Sequence, residues 1–137
     1  MSFDKTLHKP IKALCEKYAE NEAVEVISLS TTDGFPVYTL NRANHNIEED
    51  SLSAAASTLH SVSNAVAQQI LGKRFKVTFI EAQQGNVAFV DLELQGKNYV
   101  LVMSAQQSLN IASLRLLITR LANEIHELTP DSAIASV

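Results

Sequence analysis

The chain has 137 residues, 46% of them hydrophobic and 19% charged, and a formal net charge of -4. This suits a single domain that buries a core without staples, and an acidic chain with no basic stripe is a poor nucleic-acid binder. One cysteine, Cys15, excludes an internal disulfide framework and fits a reducing, cytoplasmic setting. No secretory leader is recognised at its start, and no apolar run approaches the ~20 residues of a membrane span.

Leu7, Ile11, Leu14 and Tyr18 recur at helical spacing, with Cys15 beside the stripe. Pro10 has no N–H to donate, so it belongs in a first turn or at a kink; the helix is expected over Pro10 to Glu20. Val24 to Ser30 reads as a strand, and Asp33-Gly34 turns it into a return strand from Phe35 to Leu40. Pro36 places that return strand at a sheet edge. Glu48, Glu49 and Asp50 suit a helix start, and Ser51 to Leu71 is helical, with Gly72 where a C-terminal glycine belongs. Leu52, Ala55, Leu59, Val62, Val66 and Ile70 form its apolar stripe, expected to face the sheet.

Three strands follow, Phe75 to Ala82, Val87 to Leu94 and Tyr99 to Ser104, joined by short turns that favour antiparallel neighbours. The last is continuously apolar, so both its faces should be buried. Phe75 to Ala82 has no proline or glycine among its first residues and is expected at an edge, free to pair with its own copy. Ser108 or Asn110 caps a final helix with Ile111, Leu114, Ile118, Leu121, Ile125 and Leu128 on one stripe. The element order is αββαβββα, an α/β (α+β) pattern: one domain over 1–128 and a loose tail over 129–137.

Little in this pattern carries chemistry. There is no G-x-x-x-x-G-K-[ST] loop and no G-x-G-x-x-G, and no cofactor is expected. His8, His45, His60 and His126 fall on different elements without metal spacing, and Ser57, Ser61 and Ser63 stand near no recognisable base. Cys15 reads as a small buried hydrophobe, Arg115 and Arg120 as solvated, and Lys73, Arg74 and Lys76 as a helix C-terminal cluster. Charge is unevenly placed: residues 1–50 are acidic, whereas Ser51 to Gly72 carry no Asp, Glu, Lys or Arg.

The hairpin written Thr31-Thr32-Asp33-Gly34-Phe35-Pro36-Val37, then an Ala- and Ser-rich helix over Leu52 to Leu71, resembles the roadblock family. Asn86-Val87-Ala88-Phe89-Val90, Tyr99-Val100-Leu101-Val102-Met103 and Asn110-Ile111-Ala112-Ser113-Leu114-Arg115 match its later strands and last helix, so the likeness covers roughly Ile11 to Leu128. The polar stretch Asn41 to Asn46 and Gln83-Gln84 depart from typical members. The resemblance implies a five-stranded antiparallel sheet between one long helix and two helices. It also implies dimerisation through the middle helix and the strand after it, and a role in regulating or scaffolding small Ras-like GTPases. Bacterial members include the activating partner of the polarity GTPase of gliding motility.

The charge-free middle helix supports that implication. With the apolar stripe on the sheet, its other face would show Ser53, Ser57, His60, Ser61, Asn64, Ala67 and Gln68, and depletion of charge marks an interface core. An unusual but solvated polar face is the competing reading. The expected interface adds Lys76, Thr78 and Ile80 of the following strand. The expectation is a non-catalytic homodimeric regulator or adaptor of a small GTPase. The alternative is a small-ligand sensory or signalling-scaffold domain, which would need a cavity lined by convergent polar groups.

Overall fold

A computed structural model describes residues 3–43 and 46–129. A 3-10 turn (Lys5–Leu7) leads into α1 (His8–Tyr18), followed by β1 (Val24–Thr31) and β2 (Pro36–Asn41). Helix α2 (Glu49–Asn64) continues through a π-helical turn (Ala65–Ile70) towards β3 (Val77–Ala82), β4 (Gly85–Leu94), β5 (Lys97–Gln106) and α3 (Ile111–His126). His45 and residues 130–137 of the expected tail lie outside the described residues.

Local chemistry sets these boundaries. The Asp4 carboxylate accepts from Thr6 N at 3.0 Å and from Thr6 Oγ1 at 2.7 Å, and these bonds hold its pKa below the ordinary value. Pro10 is the third residue of α1, in the first turn where the missing N–H has no helical acceptor anyway. Glu49 and Asp50 occupy the first turn of α2, where the helix dipole favours anions. Asn110 Oδ1 accepts from Ser113 N at 2.8 Å and caps α3.

The sheet order is β2-β1-β5-β4-β3, with every neighbouring pair antiparallel. The expected edge positions of β2 and β3 hold, and the continuously apolar β5 lies at the centre with Val100 to Met103 buried. Helices α1 and α3 cover one face. Leu7 of the 3-10 turn, Ile11 and Cys15 of α1, and Leu114, Ile118, Leu121 and Ile125 of α3 pack there on Ile27, Leu29, Val90, Leu101 and Met103. The other face carries α2 over a small cluster of Ala56, Phe89, Val100 and Val102. Full burial of a Leu or Ile contributes roughly 1.5–3 kcal/mol, so most of the hydrophobic stabilisation lies on the α1–α3 side.

The placement of α2 overturns one expectation. Most of its apolar stripe does not seat on the sheet: Leu59 packs there, but Ser53 and Ala56 are the fully buried positions, while Val62 is 54% and Ile70 73% exposed. The reason lies in β1. Ser28 and Ser30 are register partners of Val102 and Val100, so they share the face under α2. Small strand residues meet small helix residues, and the backbones approach closely. The buried hydroxyls of Ser28, Ser30 and Ser53 also have no hydrogen-bond partner in the protein, a cost of about 1–3 kcal/mol each where it is not met.

Cys15 is fully buried, as expected of a small hydrophobe, and burial pushes its thiol up to about 12 from 9.0. The folded thiol should therefore resist alkylation near neutral pH and react only on unfolding. A raised pKa favours folding below the unfolded value, and this contribution is lost between about pH 9 and 12. The loss is at most roughly 4 kcal/mol at ~1.36 kcal/mol per unit. Denaturant titrations across that window should show a shallower alkaline loss in Cys15→Ala; identical slopes would contradict the buried thiol.

Candidate functional site

The apolar stripe displaced from the sheet forms the most distinctive surface of the domain. Val62, Val66, Ile70 and Leu71 are exposed by 54, 45, 73 and 58%, and Ile80 of β3 by 44%. Ala55, Thr58, Leu59 and Val62 of α2, with Ile80 and Phe89, line a shallow groove of about 510 Å³ that is almost wholly apolar. Isolated exposed apolar residues are ordinary, but a contiguous patch marks an interaction surface. Beside it, β3 pairs only with β4 among the described residues, which leaves its outer backbone edge open.

The opposite flank of α2 is polar and tied down. Ser57 Oγ donates to the Thr32 carbonyl at the β1–β2 turn. His60 Nε2 lies 2.8 Å from Asp91 Oδ1 on β4, and its ring meets Phe75 edge-on at 5.7 Å. Thr78 Oγ1 donates to Ser63 Oγ at 2.7 Å, which joins α2 to β3. Beyond His60, Asn64 and Gln68 continue at one-turn spacing along a recess of about 280 Å³.

The residues expected at the interface fall mainly on the polar flank of α2 and within the protomer. Ser53 is sealed within the protomer, and Ser57, His60 and Thr78 are engaged in the intramolecular bonds just described. Asn64 and Gln68 line the polar recess. Ser61, Lys76 and Ile80 are exposed, and Ala67 is half-buried. Ile80 alone of the expected residues joins the apolar groove; Ala55, Leu59 and Val62 were assigned to the core. The missed signal is the match between Ser53 and Ala56 on α2 and Ser28 and Ser30 on β1.

The other singled-out groups sit apart. His8 stacks edge-on against Tyr38 at 5.7 Å, and His126 Nδ1 lies 2.6 Å from the Glu93 carbonyl oxygen. Arg115 and Arg120 are exposed on α3. Among the described residues no three His, Cys, Asp or Glu side chains gather as a metal site would, and no helix is long and apolar enough to cross a membrane.

An antiparallel sheet in the order 2-1-5-4-3, with two helices on one face and a single crossing helix on the other, defines an α+β domain of the roadblock type. Comparison bears this out, because the Roadblock/LC7 domain family matches residues 10–105, and the chain belongs to that family. Among solved structures it is similar to Myxococcus xanthus MglB, with a TM-score of 0.74, 18% identity, and coverage of 93% of this chain and 97% of that one. An MglB with a tetrameric arrangement gives a TM-score of 0.76 at 13% identity, covering 100% and 96% of the two chains. A Roadblock/LC7 domain from Streptomyces avermitilis gives 0.68 at 16% identity, covering 82% and 92%. No curated protein matches the sequence.

Proposed function

We propose that this protein is a non-catalytic homodimeric regulator or adaptor that binds a small Ras-like GTPase. The observation that carries the reading is the uncovered apolar flank of α2 lying beside the open edge of β3. A two-fold axis through the β3 edge would pair β3 with its copy, join two sheets into one, and bring two α2 flanks into contact. Symmetric pairing of one patch with itself is the commonest way to close such a surface. A relative with a tetrameric arrangement supports self-association of this fold. The regulatory role rests on membership of the Roadblock/LC7 family.

Two measurements test the two halves of the proposal. Light scattering at micromolar concentration should give twice the mass of the chain; a monomer rejects the dimer. A pull-down from the source cell should retain a Ras-like GTPase, and adding that GTPase, purified and nucleotide-loaded, should raise the mass of the dimer. A mass unchanged by every GTPase recovered, in both nucleotide states, rejects the regulatory role. The purified protein by itself should hydrolyse no nucleotide.

A further inference from the structure

The polar recess on the far flank of α2 is built differently from the rest of the surface. Its helical wall presents Asn64 and Gln68, four residues apart and therefore one above the other. Its sheet wall is Asp91 and Glu93, alternate residues of β4 on one face. Arg74 and Phe75, on the connection to β3, close a third side. Among the described residues Arg74 forms no ion pair within 4.0 Å of either carboxylate, and Asp91 is paired with His60. Opposite charges thus line one small concavity.

From this arrangement we infer that the recess is a binding site for a small zwitterion of the free amino-acid class. The Asp91 and Glu93 carboxylates would take the ammonium group, the Arg74 guanidinium the carboxylate, and the Asn64 and Gln68 amides the remaining polar atoms. Size decides against larger ligands: at about 280 Å³ the recess falls below the roughly 300 Å³ where pockets for drug-sized molecules begin, and a nucleotide would not fit. Charge decides against simple ions, because a lone anion meets two carboxylates and a lone cation meets a guanidinium. The recess lies on the flank of α2 opposite the apolar stripe, and the inference is drawn from the single chain without recourse to the dimer or to a GTPase.

The test is a titration of the 137-residue protein, followed by backbone amide NMR, with glycine, L-glutamate, L-lysine and L-arginine. Acetate and methylammonium, the two half-ligands, are titrated separately. The expected result is saturable shifts for at least one amino acid, below about 10 mM, centred on Gln68, Arg74, Asp91 and Glu93. Arg74→Gln and Glu93→Gln should each weaken that binding at least about tenfold, as loss of a charge-assisted contact does. Both side chains are exposed, so the variants should keep the wild-type spectrum elsewhere; Gln68→Leu gives the same comparison from the helix wall. The inference is overturned if no amino acid gives saturable shifts. It is equally overturned if acetate or methylammonium binds as well as the amino acid, or if the folded variants bind like wild type.

Discussion

Replacing Val62 with Asp should convert the proposed dimer to monomer at micromolar concentration without unfolding the protomer. Val62 is 54% exposed in the isolated chain, so its removal leaves no hole in the core. Across a two-fold axis each substitution places a carboxylate at the apolar contact twice. An uncompensated buried charge costs about 3–5 kcal/mol, and ~1.4 kcal/mol is a factor of ten in dissociation constant. The dissociation constant should therefore rise by at least roughly a thousandfold. Sedimentation or light scattering reads the outcome directly. Leu116→Asp is the control: Leu116 is 51% exposed on α3, across the sheet from α2, and its substitution should leave the mass unchanged. A Val62→Asp dimer as tight as wild type would show that the apolar flank of α2 is not the contact.

The largest effect on stability is expected at Gly85. Its φ is +149°, and an added Cβ would stand 2.1 Å from the Ala105 carbonyl oxygen, a backbone atom that cannot swing aside. Gly85 opens the β4–β5 ladder opposite Gln106, so relief of the clash must pull the central strand out of register at its end. Gly85→Ala should cost about 3 kcal/mol or more, in the range of strained backbone plus a lost ladder contact. Gly96→Ala makes the comparison sharp: φ is +78°, but nothing lies within 4 Å of its added Cβ. Only the left-handed penalty of about 1–2 kcal/mol applies there. Denaturant midpoints of the two variants should differ clearly, and equal midpoints would refute the close approach at Ala105.

Much of this architecture can be read from residue order. The glycines at 34, 72, 85 and 96 sit at turns or at a helix end, all with positive φ, which is why punctuation by glycine located the elements. Pro36 marked one edge, and the unbroken Tyr99 to Ser104 run marked the centre, because both reflect backbone pairing that single residues reveal. The face of α2 was not legible by the same means. The helix carries two stripes, one of large apolar residues and one of small ones. The rule that apolar residues face the protomer's own core assumes that no second surface competes for them. Only the pairing of Ser53 and Ala56 with Ser28 and Ser30, distant in sequence, resolves the choice, and that is tertiary information. The recess was illegible for a similar reason. Asn64, Gln68, Arg74, Asp91 and Glu93 come from three segments, and no spacing connects them until α2 crosses the strands.

The strand order also governs how the chain must come together. The β1–β2 hairpin and the β3–β4 hairpin share no backbone ladder; within the sheet they are joined through β5, which pairs with Val24 to Thr31 on one side and with Gly85 to Leu94 on the other. Leu29 and Leu101 are register partners although most of the domain separates them along the chain. During synthesis, both hairpins therefore leave the ribosome with an unsatisfied inner edge and wait for one late segment to act as keystone. Closing so long a loop is entropically slow, and contacts of this kind lower the folding rate of a domain of given stability. A chain interrupted before Lys97 retains two hairpins with no strand to join them, so the sheet forms as a whole or not at all.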